Sequence, residues 1–244
     1  MKVDKTIEYY DQVAHLYDSL YQSSISKAED YIVKQRLENI ILPGQEVLDC
    51  GCGTGLAREL LQERCIKYTG IDISSEMIGI ASSKFPSSVF VTGDMADLSN
   101  FKCKSIDRII SINGSFSHVQ NYKEAIREFE RVLLPNGKLF LMVYNRFSIK
   151  RISRLKFKKN DQYIIRNDKE NSSFRSSAMF WSRSLAIKEL SVFKDVRVSG
   201  LNIYGDYLDK LLSPRVALSL LKFESKLPYF FQRFAHALMI EATK

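Results

Sequence analysis

Val47-Leu48-Asp49-Cys50-Gly51-Cys52-Gly53-Thr54-Gly55 is the stretch whose reading decides the fold. A short apolar run ends in an acid, meets three alternating glycines and passes into helix-forming residues. Glycines allow tight turns and close approach of the backbone to a ligand. The helix that follows offers free N–H groups and a partial positive charge at its N-terminus. Strand, glycine loop and helix in that order describe a nucleotide-type site at the carboxyl ends of parallel strands. The dinucleotide fingerprint G-x-G-x-x-G counted from Gly51 needs glycine at position 56, where Leu56 stands. The spacing is D-x-G-x-G-x-G instead.

Outward from this loop, strand and helix signals alternate. Helices are predicted over 4–21, 26–42, 55–64, 75–85 and 122–134, and strands over 46–49, 68–72, 88–92, 106–112 and 138–144. Pro43-Gly44, Pro86 and Pro135-Asn136-Gly137 punctuate them. This β-α-β-α order implies an α/β, doubly wound parallel sheet. Residues 146–180 are polar and basic without a clear period. A helix over 184–190, a strand over 196–203, a helical stretch over 214–226 and a strand over 235–242 complete the chain.

Further stretches resemble the class I S-adenosylmethionine-dependent methyltransferase family, in order and at the matching strand ends. Gly51, Cys52, Gly53 and Gly55, after Asp49, resemble its glycine motif. Asp72 ends Tyr68-Thr69-Gly70-Ile71-Asp72, where the family binds the ribose hydroxyls. Ile73 and the Ser74-Ser75-Glu76-Met77 stretch match the segment that lays an apolar side chain on adenine. Gly93-Asp94-Met95 matches the turn whose Asp accepts from the adenine amino group. Asn113-Gly114, inside Asp107 to His118, resembles the motif at strand four. Leu134-Pro135-Asn136-Gly137 resembles the turn before strand five, with Asn136 in a glycine position. Asn tolerates left-handed backbone, so the turn should survive.

The opening Tyr10-Asp11-Gln12-Val13-Ala14-His15-Leu16-Tyr17-Asp18 is similar to that of small-molecule members, such as quinone-biosynthesis and aminosugar N-methyltransferases. There this helix lids the cofactor. Tyr10 and Tyr17 become lid residues, with Tyr17 at the methionine end and a catalytic candidate. The resemblance implies a Rossmann-like seven-stranded sheet with an antiparallel last strand, an N-terminal helical lid and a basic insertion after strand five. It also implies S-adenosyl-L-methionine as cofactor. The chain then divides into a lid (1–42), a cofactor-binding core (43–145), a basic acceptor-side insertion (146–195) and the last two strands with an intervening helix (196–244).

Methyl transfer to a hydroxyl or an ammonium requires a proton acceptor. His118, in the loop beside the expected methyl position, is the candidate base, because histidine titrates near neutral pH. His15 and His236 fall on the lid and in the last strand. Cys50 and Cys52 have no second Cys/His pair, so no metal site is expected.

Composition narrows the acceptor. The 244 residues carry 36 Lys/Arg against 28 Asp/Glu, a formal charge of +8. Residues 1–144 hold 16 basic and 19 acidic side chains, and residues 145–244 hold 20 and 9. The surplus therefore lies on the acceptor side, with a run at Lys150, Arg151, Arg154, Lys156, Lys158 and Lys159. An anionic small molecule is the expected partner. Nucleic acid is disfavoured: the strand-four loop reads Asn-Gly-Ser-Phe rather than the N/D-P-P-Y/F of exocyclic-amine enzymes, and no cysteine stands there. RNA modification by the basic half, a lipid-like acceptor at a membrane surface, and a cofactor-binding module without catalysis remain the alternatives. Residues 211–231 interleave aromatic and basic residues, which raises peripheral membrane contact; a homodimer is also open. No apolar run is long enough to span a bilayer, the N-terminus lacks a signal-peptide core, and four unpatterned cysteines suggest a cytoplasmic setting.

Overall fold

A computed structural model describes residues 5–153, 160–167, 172–204, 208 and 211–244. The chain runs α1 (Lys5–Val13), a 3-10 segment (Ala14–Tyr21), α2 (Ser24–Ile40), β1 (Glu46–Cys50), α3 (Leu56–Leu60), β2 (Lys67–Asp72), α4 (Ser75–Lys84), β3 (Val89–Thr92) and β4 (Ile106–Ser111). A 3-10 turn (Ser115–His118), α5 (Tyr122–Val132), β5 (Leu133–Tyr144), α6 (Ile149–Ile152), β6 (Asn160–Asn167), β7 (Ser172–Met179) and α7 (Arg183–Glu189) follow. The chain closes with β8 (Lys194–Leu201), α8 (Pro214–Glu224), α9 (Tyr229–Gln232) and β9 (Ala237–Thr243).

Seven strands form one sheet in the order β3-β2-β1-β4-β5-β9-β8. The pairs from β3 to β5 are parallel, and β9 runs antiparallel to both β5 and β8. The order reverses beside β1, which puts the glycine loop at the switch point where α/β sheets bind ligands.

The apolar runs of the central strands are explained by cover on both faces. Along β5, Leu139, Leu141 and Val143 join Phe129 of α5 and Trp181 in one core. Phe140 and Met142 face the other way, to Leu37 of α2 and Leu221 of α8. Alternate side chains of a strand point to opposite faces, so one continuous run supplies both cores.

Three differences from the sequence reading have local causes. The first helix does not run unbroken to Tyr21: it passes to 3-10 geometry at Ala14, with no side-chain cap at Val13. Leu134-Pro135-Asn136-Gly137 lies inside β5 rather than before it, as a register shift against β4, with Asn136 at φ 63°. The aperiodic stretch 146–180 holds a two-stranded antiparallel hairpin, β6–β7, apart from the main sheet. Lys150 and Arg151 fall in α6, whereas Arg154, Lys156, Lys158 and Lys159 lie outside the described residues.

The helical stretch between β8 and β9 is anchored by a buried acid. Glu224 accepts the Ile203 N–H at 2.8 Å and the Tyr204 N–H at 3.2 Å. Burial pushes its carboxyl above the usual range while these two donors hold it down. Glu224→Ala orphans both donors and is expected to cost about 2 kcal/mol, read as a lower urea midpoint. A midpoint within error of wild type would show that water replaces the carboxylate.

Candidate functional site

The glycine loop is shaped by backbone bonds before any ligand is considered. The Gly51 and Cys52 N–H groups both donate to the Ile71 carbonyl, at 2.7 and 3.1 Å, and Gly55 N–H donates to the Cys52 carbonyl at 2.9 Å. Gly51 and Gly53 sit at φ 78° and 53°, the region that penalises side chains. A Cβ on Gly51 would also stand 2.5 Å from the Ser115 Cβ, so the loop packs directly on the turn after β4.

Asp72 joins this loop to the next strand end. Its Oδ2 accepts the Gly53 N–H at 2.8 Å and its Oδ1 accepts the Ser74 N–H at 3.0 Å. Burial pushes its carboxyl up, and the N–H groups of Ser74, Gly53 and Ile73 counter this.

The N-terminal segment lies across these ends. The Ser74 hydroxyl donates to Asp11 Oδ1 at 2.5 Å, and the Thr54 hydroxyl donates to Asp18 Oδ1 at 2.5 Å. Asp18 Oδ2 also pairs with Lys84 Nζ at 2.9 Å. The sequence reading singles out the tyrosines of the Tyr-Asp…Tyr-Asp opening. The aspartates beside them hold the segment in place, and their repeat at seven residues is the signal that points to them.

A cavity forms between the loop and this cover. Tyr10, Tyr17, Gly51, Cys52, Gly53, Asp72, Ile73, Met77, Gly93, Asp94, Met95, Asn113 and His118 all line it. Thr6, Thr54, Leu56, Ile112, Ser115, Val119 and Gln120 complete the wall, and none of these is a site candidate from sequence. Three candidates stand behind the wall instead. Gly55, at φ 92°, is the N-cap of α3 and has Phe85 where a Cβ would go. Gly114, at φ 79°, lies against the Tyr144 ring. Asp49 is fully buried and accepts the Tyr68 hydroxyl, while its other oxygen, Oδ1, has no partner. Burial pushes the Asp49 carboxyl up to about 7, opposed by the Tyr68 hydroxyl and reinforced by Asp72.

His118 closes one end. Its Nδ1 is 3.0 Å from the Ser177 carbonyl, which accepts only, so Nδ1 carries the proton. Its Nε2 is then the acceptor, 3.3 Å from the Tyr144 hydroxyl. Burial lowers its pKa to about 4, against the opposing bond to Ser177. The Tyr10 ring meets the imidazole edge-on with centroids 5.7 Å apart. His15 is exposed on the 3-10 segment, and His236 precedes β9 with its ring 6.3 Å from that of Tyr144. The thiols of Cys50 and Cys52 are buried and raised by that burial, and no metal-binding cluster of His, Cys, Asp and Glu exists among the described residues.

Residues 48–141, which hold the glycine loop and both strand-end carboxylates, match the family model of the methyltransferase domain. Residues 48–141 carry a methyltransferase domain of the class I S-adenosylmethionine-dependent kind. Uncharacterized protein MJ1252 of Methanocaldococcus jannaschii is 38% identical over 143 residues, 59% of this chain and 53% of that one. The ubiquinone/menaquinone biosynthesis C-methyltransferase UbiE of Campylobacter jejuni is 31% identical over 157 residues, 59% of this chain and 66% of that one. The chain thus spans about half to two thirds of the length of these relatives. In fold, it superposes on a Thermotoga maritima SAM-dependent methyltransferase, possible histamine N-methyltransferase, with TM-score 0.65. That match covers 97% of this chain and 99% of the other at 19% identity.

The wall suits the family's cofactor, S-adenosylmethionine. It offers carboxylates at the ends of two adjacent strands, apolar side chains between them and a glycine backbone that side chains would fill. A carboxylate can accept about four hydrogen bonds, so Asp72 retains capacity for hydroxyls beside its N–H donors.

Asp49 is the position where burial and titration can be read directly. A carboxyl raised to about 7 in the fold is neutral there while the unfolded chain already ionises near 4. Its stabilising effect is complete below the unfolded value and is lost as pH rises towards 7. The amide of the Asp49→Asn variant has nothing to ionise, so the melting temperature of that variant minus that of wild type should increase from pH 5 to pH 8. A constant difference across that range would show Asp49 ionised in the fold.

Proposed function

We propose that this methyltransferase domain transfers the methyl group of S-adenosylmethionine to an oxygen or nitrogen of a small, anionic metabolite. One observation carries the reading: Asp72, Asp94 and His118 line the same cavity, beneath a cover pinned by Asp11 and Asp18. A covered cavity suits a small acceptor better than a duplex. The C. jejuni relative is, by its name, a methyltransferase of ubiquinone and menaquinone biosynthesis, which supports a small acceptor. The basic surplus of residues 145–244 favours an acidic acceptor.

When bound, S-adenosylmethionine supplies a methyl group already activated by the sulfonium charge. Asp72 would accept from the ribose hydroxyls, and Asp94 from the adenine amino group. Ile73, Met77 and Met95 would flank the adenine, and the Gly51–Gly53 backbone and Tyr17 would hold the methionyl part. The chain's work is then to align the acceptor and exclude water, from which much of a displacement's rate can come. Tyr10 and Tyr17 exclude water. His118, neutral above about pH 5, presents Nε2 as the proton-accepting atom, with Nδ1 held by the Ser177 carbonyl. Its low pKa makes it a weak base at neutral pH, suited to orienting an acceptor's proton and taking it late, through or in place of the Tyr144 hydroxyl.

Two variants separate the roles. Asp72→Ala should abolish the rise in melting temperature produced by S-adenosylmethionine, since that rise reports binding to the folded state; an unchanged rise overturns the cofactor assignment. His118→Ala should keep that rise and lower turnover of a metabolite panel by roughly a hundredfold. Unaltered turnover would remove His118 from the reaction. NMR of the methylated product distinguishes O or N from the carbon acceptor named for the C. jejuni relative.

A further inference from the structure

α8 and α9 present a surface that the cofactor cavity does not use. α8 turns Ala217, Leu221 and Glu224 inward, against α2 and the end of β8. Its outward side carries Val216 and Phe223, seven residues apart on one face, with Phe223 62% exposed. Leu211, just before α8, is 80% exposed, and Phe230 of α9 is 62% exposed beside a half-exposed Phe231. Phe230 and Phe231 pack edge to face at 5.4 Å, so the two rings form one projecting unit. This is a cluster of large apolar side chains on the outside of a fold that has two well-filled cores.

The exposed charges within residues 211–234 have one sign. Arg215, Lys222, Lys226 and Arg233 are all exposed. The Arg233 guanidinium lies 5.7 Å from the Phe230 ring and 5.0 Å from the Phe234 ring, and Lys222 Nζ lies 4.6 Å from the Tyr31 ring. Residues 211–234 contain a single acid, Glu224, which is 3% exposed and occupied by two backbone donors. The exposed part of this segment is therefore apolar and cationic with no carboxylate of its own.

That combination selects its occupant. Aromatic side chains flanked by long basic ones match the boundary of a bilayer, where rings enter the acyl region and cations stay with the headgroups. A two-fold contact between copies would set the same four cations against one another, with no exposed carboxylate within residues 211–234 to offset them. We propose that the α8–α9 surface docks peripherally on an anionic lipid bilayer. The docking surface and the cavity use different residues, so either assignment can fail without the other.

The test is cosedimentation of the full chain with phosphatidylcholine vesicles that contain phosphatidylglycerol, and with pure phosphatidylcholine vesicles, at low and high salt. The expected result is binding to the anionic vesicles that weakens with salt. Phe223→Ser with Phe230→Ser, and separately Lys222→Glu with Lys226→Glu, should each weaken that binding by roughly tenfold or more, on the order of the apolar and charge contributions they remove. All four positions are exposed, so melting temperature and its rise with S-adenosylmethionine should stay at the wild-type values in the same samples. No binding to anionic vesicles overturns the proposal, as does equal binding to both vesicle types or wild-type binding by both variants. A wild-type dimer in light scattering that becomes monomeric with the two Phe→Ser changes also overturns it, because a second copy is then the occupant.

Discussion

The carboxylate of Asp72 is the tie on which the site depends. It ends β2, and it takes one N–H from the glycine loop after β1 and one from the residue that caps α4. Parallel strands do not share turns, so nothing in the sheet ladder itself sets the spacing of the two loops beyond their strand ends. A half-buried acid bridging them does. Ser74 carries the tie further: its hydroxyl accepts the Met77 N–H at 3.2 Å and donates to Asp11 of the N-terminal segment. The Asp18–Thr54 bond closes the circuit back onto the glycine loop. Two strand ends, a helix cap and the cover of the cavity are thus connected through polar groups, with Ser74 and Thr54 buried, Asp72 and Asp11 half-buried and Asp18 exposed.

The same logic separates residues that look alike in sequence. Asp49 lies near the end of β1 and is fully buried, whereas Asp72 ends β2 and is half-buried. Asp72 meets backbone N–H groups and opens on the cavity. Asp49 meets one tyrosine hydroxyl, keeps an orphaned oxygen and is pushed up to about 7. One faces the cavity and the other stands behind its wall. His118 shows the related effect of a closed environment on a base. Burial, against the opposing bond to the Ser177 carbonyl, takes away the near-neutral titration that makes histidine an obvious proton acceptor on paper.

The outer parts of the chain follow a different rule from the core. The hairpin β6–β7 joins no strand of the main sheet, yet its Ser177 carbonyl orients the His118 ring. α8 and α9 bury a narrow stripe and leave their largest rings in solvent. Arg215, Lys222, Lys226 and Arg233 thus place part of the basic surplus of residues 145–244 on a surface whose residues do not line the cavity.

Much of the fold was legible in the sequence because it rests on local properties. The strand–glycine–helix order, the apolar runs of β1, β4 and β5 and the left-handed turn at Asn136 follow from burial period and backbone freedom within a few residues. Most cavity-lining candidates were likewise legible, since ligands of such sheets sit at the strand ends that those patterns mark. The hairpin was not, because pairing between β6 and β7 leaves no period in a serine-rich, charged stretch. Nor could the sequence show that Gly55, Gly114 and Asp49 brace the wall from behind, that Asp11 and Asp18 pin the cover, or that His118 is held neutral. Those outcomes depend on which groups from distant segments meet, and on how much water their meeting excludes. Only the tertiary structure decides them.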